Sequence, residues 1–336
     1  MWLPVSPPEE PTMVSDDRIA QSKAIQQKTG RTFHLATRVL PERVRHATYV
    51  LYGFFRVADE VVDGVDPAEA DPEAQRATLE RFRDAALGRR DAENEVIAAF
   101  SQVRERDGIA DEDVDAFVDA MLTDIDTDRY ETYEQLEAYM DGSAAAVGRM
   151  MTAVMNPEDE AAALPHATAL GEAFQMSNFI RDVREDVVER DRVYLPVETL
   201  ERYGASTEQV LDLEFSESFA DAVRHEVRRT ERLYQEGVAG IAALPDDCQF
   251  AVTLAAVLYA DHHRLVRGLD YDVLSTTPEL SRRRKLSLFA RTALNWAVLR
   301  DPEAVFYRVS AVPASAEGEP GPTEAGRSLL DWLPTR

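Results

Sequence analysis

The sequence contains little cysteine and little lysine. Cys248 is the only cysteine among 336 residues, so neither an intrachain disulfide nor a cysteine-based zinc cluster can form, which fits a cytoplasmic enzyme. The lysines are Lys23, Lys28 and Lys285, whereas 62 residues are acidic, and the formal net charge is −25. This charge repels nucleic acid and disfavours a nucleic-acid partner. An acid-rich, lysine-poor surface suits high salt, which predicts a halophilic protein; an ordinary acidic protein is the alternative.

Long apolar runs are also missing. The longest uncharged stretch, 248–260, has thirteen residues, too few to span a bilayer, so we expect a buried core helix there. The first 14 residues are acidic and proline-rich, unlike a signal peptide, and a flexible arm is predicted for 1–14. Residues 311–327 are rich in Pro, Gly and Glu. A flexible tail is therefore predicted for 309–336 and a single domain for 15–308.

Helix-forming residues dominate the rest of the chain. No sustained alternation of apolar and polar residues indicates a strand, so the sequence predicts an all-α protein. The predicted helices span 15–28, 41–64, 68–88, 92–106, 111–127, 132–155, 160–190, 216–243, 246–268 and 279–300.

A first pair of aspartates ends an apolar helical segment. Asp59 and Asp63 are four residues apart and share one helix face, with Arg56 on the same side. Like charges at this spacing repel, and the cost rises with burial unless a cation neutralises them. Mg²⁺ would do so, because it takes carboxylate oxygens and keeps sites open for water or diphosphate. In a chain with 62 acidic residues, a solvated acidic helix end is the alternative.

A second pair repeats the spacing within residues 171–196. Asp182 and Asp186 are preceded by Gln175 and Asn178 on the same helix face, and the other faces are apolar. A polar face on an otherwise apolar helix indicates a hydrated cavity. Arg181 adds positive charge. A salt-bridged surface helix is the alternative interpretation.

Two such motifs facing one cavity are suited to ionising an allylic diphosphate. Metal ions held by the carboxylates would stabilise the leaving group as the C–O bond breaks. The carbocation left behind needs an apolar pocket with aromatic walls. The candidate aromatic residues, each of which could instead be ordinary core packing, are Phe33, Tyr52, Phe54, Tyr139 and Phe174.

With these motifs, the chain resembles the squalene/phytoene synthase family over roughly residues 22–290. Four blocks occur in the family's order along the chain. They are Arg31-Thr-Phe-His-Leu-Ala-Thr-Arg-Val-Leu-Pro41; the first aspartate motif, 51–63; Asp124 through Arg129-Tyr130 to Tyr139-Met-Asp-Gly-Ser-Ala-Ala-Ala-Val-Gly148; and Gln175 to Asp186 followed by Arg192-Val-Tyr-Leu-Pro196.

The resemblance implies a single-domain isoprenoid-synthase helical bundle around a central cavity. It also implies head-to-head condensation of two prenyl diphosphates through a cyclopropylcarbinyl diphosphate, with release of two diphosphates. Mg²⁺, or Mn²⁺ in its place, would bind Asp59, Asp63, Asn178, Asp182 and Asp186. Catalysis would rest on the four aspartates and Arg56. The implied substrate-binding residues are Arg31, Thr32, Phe33, Tyr52, Tyr139, Ala144, Val147, Gln175, Asn178 and Arg181.

Some positions depart from the family's pattern. His34 stands where a tyrosine is common, and Thr277 stands where an arginine is usual after the Tyr271–Leu274 stretch. One of the basic residues 282–285 could replace that arginine, or the cluster could simply be a basic helix start.

The Tyr271–Leu274 stretch favours phytoene synthase, which acts on geranylgeranyl diphosphate without NADPH. Squalene or dehydrosqualene synthase, acting on farnesyl diphosphate, is the alternative. A di-iron carboxylate bundle is excluded, because no histidine follows a Glu by three residues. A non-catalytic subunit of the same fold is disfavoured, because all four aspartates are present. Transient contact with a membrane surface is expected for collecting lipid substrates, and the oligomeric state stays open.

Overall fold

The computed structural model describes residues 35–64 and 71–314, and they form a bundle of α-helices. Within these ranges β-structure is limited to one isolated parallel bridge between Arg129 and Val193, so the predicted all-α class is confirmed. The helices are α1 (Glu42–Asp63), α2 (Pro72–Ala86), α3 (Glu95–Asp107), α4 (Asp111–Thr123), α5 (Tyr133–Met140), α6 (Ala146–Met155), α7 (Glu160–Arg190), α8 (Val197–Tyr203), α9 (Thr207–Leu211), α10 (Glu217–Ala239), α11 (Asp246–Gly268), α12 (Arg282–Leu299) and α13 (Pro302–Val309).

The observed helices match most of the predicted ones, with one interruption and three additional short helices. The predicted helix 132–155 is interrupted by a π-helical segment, Asp141–Ala145, between α5 and α6. Three short helices, α8, α9 and α13, were not predicted. The predicted helix 15–28 and the arm 1–14 lie outside the described residues. Of the predicted tail, only 309–314 is described, and there Val309 and Val312 are buried in the core.

Helix α7 is the longest element of the described chain and packs against α6, α10 and α11. Asp159 caps its first turn by accepting a hydrogen bond from the Ala162 amide. The close approach of α10 to α7 depends on glycine. A Cβ on Gly237 of α10 would lie 2.7–2.8 Å from Leu170 atoms, so a larger residue could not be accommodated there without displacing α7. The polar face of α7 is therefore held in a fixed position.

A cluster of aromatic side chains packs α1 against α2 and α3. Phe54 is fully buried and stacks on Phe100 and Phe82, with ring centroids 3.6 and 4.6 Å apart. Phe54 follows Tyr52 by two residues, which corresponds to a rotation of about 200° around the helix axis. Phe54 therefore faces away from the polar side of α1. Of the two interpretations left open for Phe54, cavity wall and core packing, the structure shows core packing, and the ring anchors α1 to α2 and α3.

The uncharged stretch 248–260 lies within α11. Most of its residues are buried, and Leu254, Val257 and Leu258 are fully so, which confirms the predicted core helix. None of the helices in the described ranges is long and apolar enough to cross a bilayer.

Candidate active site

One face of α1 carries the first aspartate motif. Tyr52, Arg56, Asp59 and Asp63 follow one another at three- and four-residue spacings, and all four are half-buried. The Arg56 guanidinium forms an ion pair with the Asp59 carboxylate. The sequence therefore placed these residues on a common face correctly.

The corresponding face of α7 carries the second motif. Gln175, Asn178 and Asp182 are half-buried and Asp186 is buried. Among the residues that the structure describes, the amides of Gln175 and Asn178 make no hydrogen bond, so these polar groups remain available to a ligand. Arg181 pairs with its neighbour, with Nε 2.6 Å from Oδ1 of Asp182.

Arg190 joins the two motifs. Its Nε lies 3.1 Å from Asp63 Oδ2, and its Nη1 lies 3.3 Å from Asp186 Oδ1. Arg192 adds a second cation, with Nη1 3.3 Å from Asp63 Oδ1. The two aspartate pairs thus face one another across a single guanidinium instead of lying on opposite surfaces. Neither arginine was assigned a role from the sequence, although Arg190 lies four residues after Asp186 and so shares its helix face.

Two carboxylates at this site, Asp59 and Asp186, have raised pKa values. Burial raises the pKa of Asp186 to about 7, and the charge of Asp182 adds to the effect, whereas Arg190 opposes it. Burial also raises the pKa of Asp59, with a further contribution from Asp63. Like charges are therefore concentrated here, and the site favours the binding of further cations.

Asp124 is a third buried carboxylate beside the motifs. Its Oδ2 accepts a hydrogen bond of 2.9 Å from the Tyr139 hydroxyl, and its backbone oxygen accepts one of 2.6 Å from Arg192. Its Oδ1 is buried and has no hydrogen-bond partner among the described residues. Burial is the main cause that raises the pKa of Asp124 to about 7. Asp124 begins the third of the four family blocks, and the sequence alone did not single it out as a site residue.

Aromatic rings form one wall next to Asp124. Tyr194 stacks on Phe179 with ring centroids 4.0 Å apart. The ring centroids of Tyr139 and Tyr130 lie 6.1 and 6.0 Å from that of Tyr194. Tyr130 and Tyr194 are brought together because the loop before α5 pairs with the loop after α7, where the Val193 amide donates to Asp128. Of these rings, only Tyr139 was proposed from the sequence.

A second aromatic group lies between α7 and α11. Phe174 stacks on Tyr259 with ring centroids 4.5 Å apart. Burial raises the pKa of Tyr259 to about 12; Arg181 lowers it, and Tyr52 contributes a smaller increase. Tyr52 of α1 and Arg181 of α7 therefore both lie close enough to this phenol to influence it, as expected if they border one cavity.

Small residues let the π-helical segment and α6 approach α7 closely. A Cβ on Gly171 would lie 2.5 Å from the Ala144 carbonyl oxygen, and one on Gly148 would lie 2.5 Å from that of Ala167. Val147 is half-buried against the core. Close helix packing thus explains the glycines, and the use of Ala144 and Val147 by an isoprenoid chain stays a prediction.

The remaining predicted positions are placed as follows. Arg31, Thr32, Phe33 and His34 lie outside the described residues. Arg284 of the basic cluster binds Asp261, which is fully buried, with Nη2 2.6 Å from Oδ1 and Nε 2.9 Å from Oδ2. Arg284 therefore neutralises a buried charge, whereas Arg282 and Arg283 are exposed.

The donor set suits a divalent ion that prefers oxygen ligands. Carboxylates from two helices meet at Arg190, and Asn178 lies four residues before Asp182 on the same face of α7. Such hard oxygen donors are those that Mg²⁺ and Mn²⁺ take. Within 35–64 and 71–314, no three acidic, histidine or cysteine side chains are grouped tightly enough to hold one ion. Arg190 instead occupies the position between the pairs.

Comparisons with known proteins identify relatives over most of this chain. The squalene/phytoene synthase family matches residues 26–289. A phytoene synthase of Rhodobacter capsulatus is 34% identical over 269 residues, which cover 79% of this chain and 77% of that protein. A phytoene synthase of Thermus thermophilus is 34% identical over 267 residues, covering 78% and 86%. A solved dehydrosqualene synthase in complex with a ligand superposes with a TM-score of 0.72 at 27% identity, over 82% of this chain and 94% of that one.

Proposed function

The chain belongs to the squalene/phytoene synthase family, and from this premise we propose that it condenses two geranylgeranyl diphosphates head to head to phytoene. It is a prenyltransferase, and its substrates are prenyl diphosphates. The choice of phytoene is supported by the phytoene synthases that are 34% identical over most of the chain.

One observation carries the proposal: Arg190 contacts Asp63 and Asp186 at once. Carboxylates from two helices therefore contact the same guanidinium group, and they are close enough together to act on one diphosphate. Arg56, Arg181 and Arg192 flank them. Guanidinium groups bind phosphate oxygens through paired hydrogen bonds, so these residues would orient the diphosphate before its C–O bond breaks.

We propose that Mg²⁺, or Mn²⁺ in its place, is held by Asp59, Asp63, Asn178, Asp182 and Asp186. When bound, the metal supplies Lewis-acid stabilisation of the departing diphosphate. The aspartates supply the negative charge that would bind the metal, and Arg190 reduces the repulsion between the two motifs by pairing with Asp63 and Asp186. Burial keeps Asp186 near the midpoint of its titration at neutral pH, so the added positive charge of a metal would favour its ionised form.

The aromatic wall is suited to a carbocation. Tyr139, Phe179 and Tyr194 present π faces, which attract positive charge, and their packing limits access of water. Burial raises the pKa of the Tyr139 phenol well above its usual value, so this hydroxyl stays protonated. A neutral phenol that donates to Asp124 cannot act as a strong nucleophile toward the cation.

The test combines product analysis with a charge-neutral variant. Purified protein with Mg²⁺ and geranylgeranyl diphosphate, in low and molar salt, should give phytoene with or without NADPH. Asp182→Asn should keep the wild-type circular dichroism spectrum but lose turnover, because it removes a carboxylate without changing side-chain size. Glu201→Gln, at an exposed position on α8, is the matched control. Wild-type-like turnover by Asp182→Asn would refute the assigned role of the carboxylates.

Squalene or dehydrosqualene synthesis from farnesyl diphosphate is the second candidate. The observation that favours it is the superposition on a dehydrosqualene synthase at 27% identity. Competition between the two substrates in one incubation separates the candidates. Predominant C30 product would establish this alternative, and its dependence on NADPH would distinguish squalene from dehydrosqualene.

We also propose that the enzyme is cytoplasmic and contacts a membrane surface transiently to exchange lipid substrate and product. Leu286, Leu294 and Val298 on α12 are 65–80% exposed, and Arg282 and Arg283 begin this helix. Apolar side chains beside basic ones suit an anionic bilayer surface. Co-sedimentation with anionic vesicles should fall for Leu294→Ser/Val298→Ser, while turnover in detergent is kept. Equal sedimentation of both proteins would exclude this surface.

A further inference from the structure

A polar cavity lies away from the aspartate site. It has a volume of about 290 Å³ and is bounded by α10, α11, the turn at Tyr271 and residues 311–313. Its lining shares no residue with the two aspartate motifs. At this volume it is near the lower end of small-ligand pockets, so it could admit a compact ligand.

The cavity is strongly basic. Arg224, Arg228 and Arg232 are spaced four residues apart on α10, so they line one face of that helix. Arg267 of α11 completes the group, and Glu231 is the one acidic residue in the lining. Such a concentration of arginine stands out in a chain whose formal net charge is −25.

Only two of these four arginines form ion pairs with described residues. Arg267 Nη2 lies 2.5 Å from Oε1 of Glu231, and Arg224 pairs with Asp221. Arg228 and Arg232 have neither an ion pair nor a hydrogen bond within the part of the chain that the structure describes. Four cations thus face two pairing carboxylates, and the cavity keeps an excess of positive charge.

The wall opposite α10 is held in place by an unusual backbone turn. Asp270 and Tyr271 are consecutive non-glycine residues with positive φ, 50° and 64°, a conformation that side chains with a Cβ disfavour. The turn directs the Tyr271 ring toward the cavity, where the Arg224 guanidinium lies 4.6 Å from the ring centroid. At the rim, Gln235 donates a hydrogen bond of 2.8 Å to the Pro313 carbonyl oxygen. Strain of this kind is kept where the surrounding structure fixes it, commonly at binding sites.

We propose that this cavity is a binding site for a small anion that carries a di- or triphosphate group, separate from the aspartate site. The guanidinium fork matches phosphate oxygens in pairs, and several arginines on adjacent helix turns match several phosphate charges. Elsewhere the acidic surface repels such an anion. Inorganic diphosphate, tripolyphosphate and a nucleoside triphosphate share this chemistry.

The test measures binding in EDTA at low salt, where metal-dependent binding at the aspartate site is suppressed. Calorimetric titration of the full chain with tripolyphosphate should show one saturable site. Arg228→Gln/Arg232→Gln should weaken that binding about tenfold or more, because it removes two charge-assisted contacts. Arg81→Gln/Arg89→Gln removes the same charge from exposed positions and should bind like the wild type.

Parallel titrations with inorganic diphosphate and ATP identify the source of the phosphate group. Binding of all three anions indicates that the phosphate chain alone is recognised, and a stronger response to ATP indicates a nucleotide. Circular dichroism and basal turnover should be unchanged in Arg228→Gln/Arg232→Gln, which separates loss of the site from loss of the fold. The proposal is overturned if the wild type shows no saturable binding, or if both double variants weaken binding equally.

Discussion

Glu172 offers a direct test of how this acidic chain holds buried charge. It lies on α7, is 8% exposed, and makes no hydrogen bond or ion pair among the described residues. Burial is the main cause that raises its pKa to about 7, and the charges of Glu137, Asp141 and Glu236 add to it, whereas Arg149 opposes them. Glu172→Gln removes the charge and leaves a side chain of nearly the same size.

The direction of the effect follows from proton linkage. Because the pKa is raised in the folded state from 4.5 to about 7, the stabilising contribution of Glu172 is fully present below pH 4.5 and lost as the pH rises to 7. A shift of about 2.5 units corresponds to at most about 3.4 kcal/mol. Partial access of solvent reduces this energy. We therefore expect the free energy of unfolding of Glu172→Gln to be about 1–2 kcal/mol higher than that of the wild type at pH 8.

The assay is urea or thermal unfolding of both proteins at pH 4.5 and pH 8. For a chain of 336 residues the gain at pH 8 corresponds to about 1–3 °C in the melting temperature, and it should vanish at pH 4.5. In molar salt the repulsion from Glu137, Asp141 and Glu236 is screened within about 3 Å, so the gain should shrink toward the part due to burial. Glu201→Gln should show neither dependence. A gain that is the same at both pH values would refute the reasoning.

Three further variants probe the framework of the site. Gly171→Ala should destabilise the protein by about 2–4 kcal/mol in urea unfolding, because its Cβ would meet a backbone oxygen at 2.5 Å; Gly268→Ala, with no atom within 4 Å, should be neutral or slightly stabilising. Phe54→Ala should cost about 3–5 kcal/mol through the cavity it leaves, and a loss under 1 kcal/mol would contradict its core position. Arg284→Gln should cost about 2–4 kcal/mol by leaving Asp261 short of a partner. If Arg284 bound diphosphate instead, KM would rise without a loss of stability.

Local spacing in the sequence predicted much of the site. Residues three and four apart share a helix face regardless of how the helices pack, so the polar faces of α1 and α7 could be read before the fold was known. What faces them depends on the bundle. Arg190 and Arg192 are placed by the end of α7 and by the loop after it, where Asp191 adopts a positive φ of 54°. No periodicity predicts that turn.

The same limit explains the differences in the helices. Residues 132–155 carry a continuous helical pattern, but the π-helical segment arises where Gly142 meets α4, since a Cβ there would lie 2.2 Å from the Ala116 carbonyl oxygen. This is a contact between distant segments. Helices α8 and α9, of seven and five residues, are too short for an apolar period to emerge. The two interpretations of Phe54 could not be separated from the sequence, because only burial in the folded bundle distinguishes a core ring from a cavity wall.

The arginines that pair with the aspartates have two roles that compete for the same positive charge. Arg190 holds the Asp63 and Asp186 carboxylates together by neutralising charges that would otherwise repel each other, and Arg192 pairs with Asp63 while it donates to the backbone oxygen of Asp124. A diphosphate brings further negative charge and attracts the same guanidinium groups. If an arginine turns from its aspartate to the diphosphate, that carboxylate loses its positive partner. Another cation must then take the place of the arginine. The proposed metal requirement and the arginine bridge are therefore two consequences of placing acidic pairs on facing helices.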